Sequence, residues 1–337
     1  MTPVIPLADP LPQPAPVWLL WALLQLMFFL HLLAMNVVLG GSILALHWRL
    51  SRRVEDAAHR AAVVAAFAKA LPAAVAAAVT LGVAPLLFVQ VLYGRVFFTS
   101  SILMAGWWLA VVPLVILAYC GAYFLALRGG TPAARGKEVA PAVAMALLFA
   151  GVAFLYTSNV TRSLRPDTFV EAYRASGRGL TLNLADSTLW PRYLHMLLGA
   201  VAVAALAAAL FGLLRRGRQP DMASWVMRKS TVVFGVATAV NIFVGLWFLL
   251  AQPKEVLIRL VGGDTVAMTL LALGILLGIA TGGAALLALG AKDLARATKA
   301  QAALLVPTLL VMVGPNHHIA PFQRRPVGSL RALKAVR

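Results

Sequence analysis

Two histidines in this chain stand where a polar side chain has no water to turn to. His31 lies midway along one apolar run, in Met27-Phe28-Phe29-Leu30-His31-Leu32-Leu33-Ala34-Met35-Asn36, and His195 lies one turn into another, in Trp190-Pro191-Arg192-Tyr193-Leu194-His195. An ionisable residue inside a membrane segment is a functional candidate by default, because lipid offers it no partner. Two neutral imidazoles on facing helices of a dry bundle suit ligation of b-type haem: the nitrogen donates to iron while the apolar shell holds the porphyrin. The alternative for each histidine is an interhelical hydrogen bond. Met268, at a depth similar to that of His195, offers a thioether that would complete an axial pair; a methionine there also serves as a core gap-filler.

Other polar groups lie at the ends of apolar runs. Gln90, Tyr93 and Arg95 close the second run, and Asn241 lies within the sixth; together they supply the few donors a quinone headgroup needs at the edge of an apolar slot, or simply finish helices. Gly40-Gly41 removes side-chain bulk below His31, which admits either a macrocycle edge or a close helix crossing. His47 and His59 read as interfacial, and His317-His318 as a solvated pair in a basic tail. Cys120 is the single cysteine, which excludes an intrachain disulfide and a cysteine-only metal cluster.

The elements that must position these groups are membrane helices. Of 337 residues, 61% are hydrophobic and 12% charged, against about 25% charged in soluble domains. All eleven Asp and Glu residues fall between the long apolar runs. Spans are expected near 17–47, 70–93, 101–127, 139–158, 191–214, 230–251, 265–290 and 300–313, an all-α polytopic bundle of about eight helices. The last is short and contains Pro307, so it crosses, re-enters or lies in the interface. The organisation is then an extramembrane lead over 1–16, a bundle over 17–313 and a basic tail over 314–337. The lead lacks the basic start of a signal peptide, and the first run is expected to be a retained span.

The formal charge of +18 gathers at the ends of apolar runs, as topology signals do, and this argues against nucleic acid as the partner. Sixteen basic residues follow the first, third, fifth and seventh spans, and eight lie in the opposite connections. The first set is therefore expected on the cytoplasmic side, with the N-terminus outside and both His31 and His195 in the outer half of the membrane. The longest outer connection, 157–190, has the only room for a small extramembrane element or docking surface.

The order and spacing of these features resemble the large subunit of cytochrome bd-type quinol oxidases over roughly residues 20–250. The resemblance rests on the span-one histidine followed by Val38-Leu39-Gly40-Gly41-Ser42-Ile43-Leu44, on Leu81-Gly82-Val83 in the second span, on the long connection after span four, and on Tyr193-Leu194-His195. It implies a bacterial cytoplasmic membrane, His31 as ligand to one haem, and His195 with Met268 as ligands to a low-spin haem b. The departures are specific. The run from Ser101 to Leu127 has no carboxylate where the family carries glutamates, only Ala251 to Asp264 replaces the quinol-binding loop, and no Gly-Arg-Gln-Pro-Trp string occurs.

The expected function is that of a membrane b-type cytochrome, holding one or two haems b. It would exchange electrons between the quinone pool and a partner redox protein on the outer face, such as a multihaem c-type cytochrome or an iron-sulfur subunit. The alternatives are a terminal quinol oxidase subunit that reduces oxygen, and a non-redox transporter or scaffold whose histidines serve gating or packing. The absence of carboxylates from the spans weighs against a proton-coupled carrier.

Overall fold

The computed structural model describes residues 14–51, 56–128 and 138–323, with side chains to residue 312. The terminal lead before residue 14, the histidine pair at 317–318 and the tail beyond 323 thus lie wholly or in their side chains outside what is described. All regular structure among the described residues is helical. The long helices are α1 (Val17–Leu50), α2 (Ala57–Leu103), α3 (Ala105–Arg128), α4 (Val139–Ser163), α6 (Leu189–Arg215), α7 (Pro220–Leu250), α9 (Thr265–Leu289) and α10 (Leu294–Gln323). Two short helices, α5 (Phe169–Ala175) and α8 (Lys254–Ile258), lie in the connections at one end. That end, which also carries the start of α1, is called the upper end below.

Seven of the described helices, α1 to α4, α6, α7 and α9, are long and apolar enough to cross a membrane. The chain is a multi-pass membrane protein. Its lipid-facing surface is built from side chains such as Leu109, Val112, Ile116, Phe243, Leu276 and Leu287, all well exposed on the outside of the bundle. Helices serve here because the hydrocarbon region cannot hydrogen-bond a backbone, so each segment must satisfy its own amides.

The helices begin and end by ordinary local chemistry. Pro220 opens α7, where its missing N–H costs nothing, and the Asp264 carboxylate caps α9 by accepting from the Ala267 amide at 3.0 Å. Two boundaries depart from the sequence expectation. The second span does not end at Tyr93: α2 bends there, with Tyr93 at φ −134° and ψ 22°, and runs on to Leu103. The eighth run does not lie flat in the interface, because α10 packs along α9, with Thr308 Oγ1 3.2 Å from Thr281 Oγ1 and Met312 against Gly274.

The interior has two centres. Around α1, α2, α3 and α4 pack Val38, Leu71, Val75, Ala118, Ala122 and Met145, and around α1, α6 and α7 pack Leu44, Ala205, Leu206, Val226 and Phe234. Helix α1 joins them. At its crossing with α6, a methyl group on Gly40 would stand 2.0 Å from the Ala200 carbonyl oxygen, so the glycine exists for backbone contact. Of the two uses expected for Gly40-Gly41, the structure shows the helix crossing, with Gly41 turned toward the Phe67 ring of α2.

Candidate functional site

His31 projects from α1 onto α2. Its Nδ1 lies 2.9 Å from the Ala78 carbonyl oxygen. A carbonyl can only accept, so Nδ1 carries the proton and donates, and Nε2 keeps its lone pair. Gly82, one turn along α2 from Ala78, makes room for the ring: a Cβ there would sit 2.8 Å from Cε1 and 2.9 Å from Nδ1. The second-span glycine in Leu81-Gly82-Val83 is therefore the floor under the first-span histidine.

His195 repeats the arrangement on the other helix pair. It projects from α6 onto α7, where a Cβ on Gly245 would stand 3.0 Å from Cε1 and 3.2 Å from Nδ1. The ring lies near-parallel to Phe248 at 6.4 Å, and the Arg192 guanidinium sits 4.7 Å from the same Phe248 ring. His195 Nδ1 is buried without a hydrogen bond, and so is Oδ1 of Asn241, one turn before Gly245 on α7. Asn241 is the polar residue beside the imidazole, its backbone and carboxamide both directed at the ring, while its Oδ1 stays unpartnered. Gly199 faces that amide from α6, where an added Cβ would stand 3.7 Å from Nδ2, so glycines on both helices flank the polar pair.

The crossing of Gly40 on Ala200 sets the two histidines in register. His31 precedes the contact by nine residues and His195 by five, on helices that run in the same direction. At a rise of 1.5 Å per residue their levels differ by about 6 Å along the axis. The two levels are thus about one helical turn apart, with each ring turned to its own neighbouring helix.

The residue expected to complete the His195 ligand pair is placed differently. Met268 is 39% exposed in the first turn of α9, a helix that packs mainly on α10 and α7, while Gly245 and Asn241 of α7 lie beside His195. The third expected group, Gln90, Tyr93 and Arg95, lies at the α2 bend near the upper end, where the Trp21 indole donates to the Tyr93 hydroxyl at 3.3 Å. One turn below Trp21, Gln25 lines a cleft of about 250 Å³ with Leu26, Phe29 and Leu310, and its Oε1 is buried without a partner.

Sequence reading missed a belt of polar side chains at the upper end of α4. Thr157, Ser158, Asn159, Thr161, Arg162 and Ser163 are all buried. Ser100 of α2 donates to the Asn159 carboxamide oxygen, Asn159 Nδ2 donates to Ser101 at 3.0 Å, and Thr157 Oγ1, which donates to the Ala153 carbonyl at 2.8 Å, lies 3.6 Å from the Met196 sulfur. The signal was visible as the run Thr157-Ser158-Asn159-Val160-Thr161-Arg162-Ser163; its Asn159-Val160-Thr161 has the pattern of a glycosylation sequon, but Asn159 is 1% exposed and hydrogen-bonded inside the bundle. At the opposite end, Arg49 closes α1 by pairing with Glu138, before α4, at 3.4 Å with both side chains about nine-tenths buried.

These observations bear on whether haem suits the site. The donors are imidazole nitrogens about one helical turn apart in level, one with Nε2 left free by its backbone hydrogen bond and one with an orphaned Nδ1, each against a glycine. That set fits a haem iron. Among the described residues no three His, Cys, Asp or Glu side chains converge as a non-haem metal ion would require. The sequence matches no family model, and no curated protein or solved structure matches the chain.

Proposed function

We propose that this protein is a membrane b-type cytochrome that carries electrons between the quinone pool and a redox partner at the upper, outer face. The observation that carries the reading is the repeated pairing of an intramembrane histidine with a glycine on the adjacent helix, His31 with Gly82 and His195 with Gly245. An imidazole that donates Nδ1–H to a backbone carbonyl is fixed in tautomer and orientation, which is how ligating histidines are commonly supported. Haem b supplies reversible one-electron chemistry when bound. The chain's own part is to hold His31 and His195 on adjacent helix pairs about one turn apart in level, exclude water with apolar helices, and keep carboxylates out of the surroundings.

The quinone headgroup is assigned to the upper rim beside the α2 bend. Gln25 presents an unpartnered carboxamide oxygen there, beside a cleft with apolar walls and one turn from the Trp21–Tyr93 hydrogen bond. The partner would dock on the 164–188 connection, whose Arg174 and Arg178 suit an acidic surface.

The test is a reduced-minus-oxidised absorbance spectrum with haem quantitation on detergent-purified protein, for wild type, His31→Ala and His195→Ala. Wild type should show b-type bands, and each variant should lose a different component, about half the haem if two are bound. A haem-free wild type, or variants that both keep full haem content, would sink the reading.

A further inference from the structure

The helix pairs α1 with α2 and α6 with α7 carry the same local device. In each, a histidine on the first helix faces two residues four apart on the second: Ala78 and Gly82 opposite His31, Asn241 and Gly245 opposite His195. The two rings present the same edge, with Cε1 nearest the added Cβ of the glycine, Nδ1 next and Nε2 farthest. The spacing of four has a physical reason. A helical carbonyl of residue i accepts the amide of residue i+4 and keeps a second lone pair, over which the side chain of residue i+4 would lie. A glycine at i+4 uncovers that lone pair for the ring. The surroundings are arranged alike too: α3 and α4 pack beside α2 as α9 and α10 pack beside α7, and the halves join where α1 meets α6.

The two devices differ at the residue whose carbonyl faces the ring. Opposite His31 it is Ala78, which ends in a methyl group, and opposite His195 it is Asn241, which adds a carboxamide. His195 Nδ1 and Asn241 Oδ1 are each buried without a hydrogen bond, although the carboxamide is directed at the ring. An imidazole N–H can donate and an amide oxygen can only accept, so a small turn of the amide pairs the two orphans, which are costly to leave apart. Gly199 leaves room for that turn, since even an added Cβ would stand 3.7 Å from Nδ2. Both Asn241 oxygens are acceptors, so the His195 proton belongs on Nδ1 and the Nε2 lone pair stays free, the tautomer already fixed at His31. Both histidines remain partly exposed.

We infer that Asn241 is a positioning residue whose carboxamide oxygen accepts from His195 Nδ1–H, and that it makes the His195 site electronically unlike the His31 site. An imidazole whose N–H is held by an acceptor is the more basic at its other nitrogen. His195 has a backbone and a side-chain acceptor where His31 has a backbone carbonyl, so its Nε2 is the stronger donor to a metal. On haem iron that difference favours the oxidised state at His195. Two centres in equal surroundings would give an electron no downhill direction between them, and Asn241 removes that equality. The consequence for iron rests on the function proposed above; the hydrogen bond does not.

The test uses the full chain with isotopically labelled histidine, reduced and in detergent, studied by nuclear magnetic resonance and by redox titration. The variants are Asn241→Ala, which copies the His31 arrangement, Asn241→Leu, which keeps the volume, and Asn241→Asp, which keeps the acceptor. His31→Ala and His195→Ala assign the imidazole resonances. The Nδ1–H resonance of His195 should move in Asn241→Ala and Asn241→Leu, while that of His31 stays in place. With haem bound, the same two variants should raise the potential of the His195 component by at least a threefold change in the reduced-to-oxidised ratio, about 28 mV at 59 mV per tenfold for one electron. Asn241→Asp should not raise it. An unmoved His195 resonance overturns the inference, and so does a potential that changes less than threefold or rises equally in all three variants, the mark of general disturbance. A haem-free wild type counts against the cytochrome reading and leaves the resonance to decide on Asn241 alone.

Discussion

At Gly82 a single added methyl group would stand 2.8 Å from the His31 ring, closer than real side-chain contacts allow, and at Gly245 it would stand 3.0 Å from His195. Such overpacking in a filled interior costs about 1–3 kcal/mol when the neighbour must move. Here the neighbour is the imidazole, so the strain falls on the group proposed to ligate. Gly82→Ala is expected to weaken the hydrogen bond from His31 Nδ1 to Ala78 and to lower or shift the haem signal assigned to His31, leaving that of His195 unchanged. Gly245→Ala should do the reverse. Gly151→Ala, with open space around its Cβ, is the control and should leave both signals intact. The spectra of the three variants decide this, and identical spectra for all would argue that neither glycine supports a ligand. His31 and His195 were legible from sequence because an imidazole inside an apolar run has few bland uses. Gly82 and Gly245 were not assigned as their partners, since glycine is common in membrane helices and only a neighbour gives it meaning.

Among the elements, α1 carries the most responsibility. It packs on α2 through His31 and Gly41 and on α6 through Gly40, and its last turn is tied to the start of α4 by Arg49 and Glu138. The obstacle a side chain at Gly40 would meet is the Ala200 backbone, which has no rotamer to escape into. Gly40→Val is therefore expected to separate α1 from α6, lowering stability by about 1–3 kcal/mol or more and lowering the melting temperature in detergent. A melt unchanged from wild type would show that the crossing is not tight. Helix existence was readable for the seven long apolar elements because about 20 apolar residues are needed to span the hydrocarbon core, whereas the short eighth run, 300–313, left the path of α10 open. The run of α2 past Tyr93 was less readable: Arg95 and Thr99 look like a connection, but a bent helix still satisfies their backbone, with Thr99 donating to the Arg95 carbonyl at 2.7 Å.

For the molecule as a whole, charge sets the expected orientation. The connections at the lower end are the richer in Lys and Arg, so the lower end is expected in the cytoplasm and the upper end, with α5, α8 and the buried Arg162 cluster, outside. Gly177 near the upper end and Gly217 near the lower end have no atom within 4 Å of an added Cβ, so cysteines fit both without disturbance. In a Cys120→Ser background, Gly177→Cys should react with a membrane-impermeant maleimide added to intact spheroplasts, and Gly217→Cys only after permeabilisation. The opposite pattern would invert the topology and move the proposed redox partner to the cytoplasmic side.

The sequence by itself determined the class, the helix count and the two intramembrane histidines, because each follows from the cost of exposing backbone or imidazole to hydrocarbon, a cost that depends only on local composition. It could not determine which helix each histidine faces. Spans that are apolar all round carry no stripe to say which side turns inward, so rotation and pairing are settled by close packing between helices. That packing put Gly82 under His31, Gly245 and Asn241 under His195, and Met268 on an exposed turn of α9. It also converted Arg162 from a topology signal into a buried cation, since a charge at a helix end is solvated or enclosed according to what folds over it, and here the 164–188 connection does.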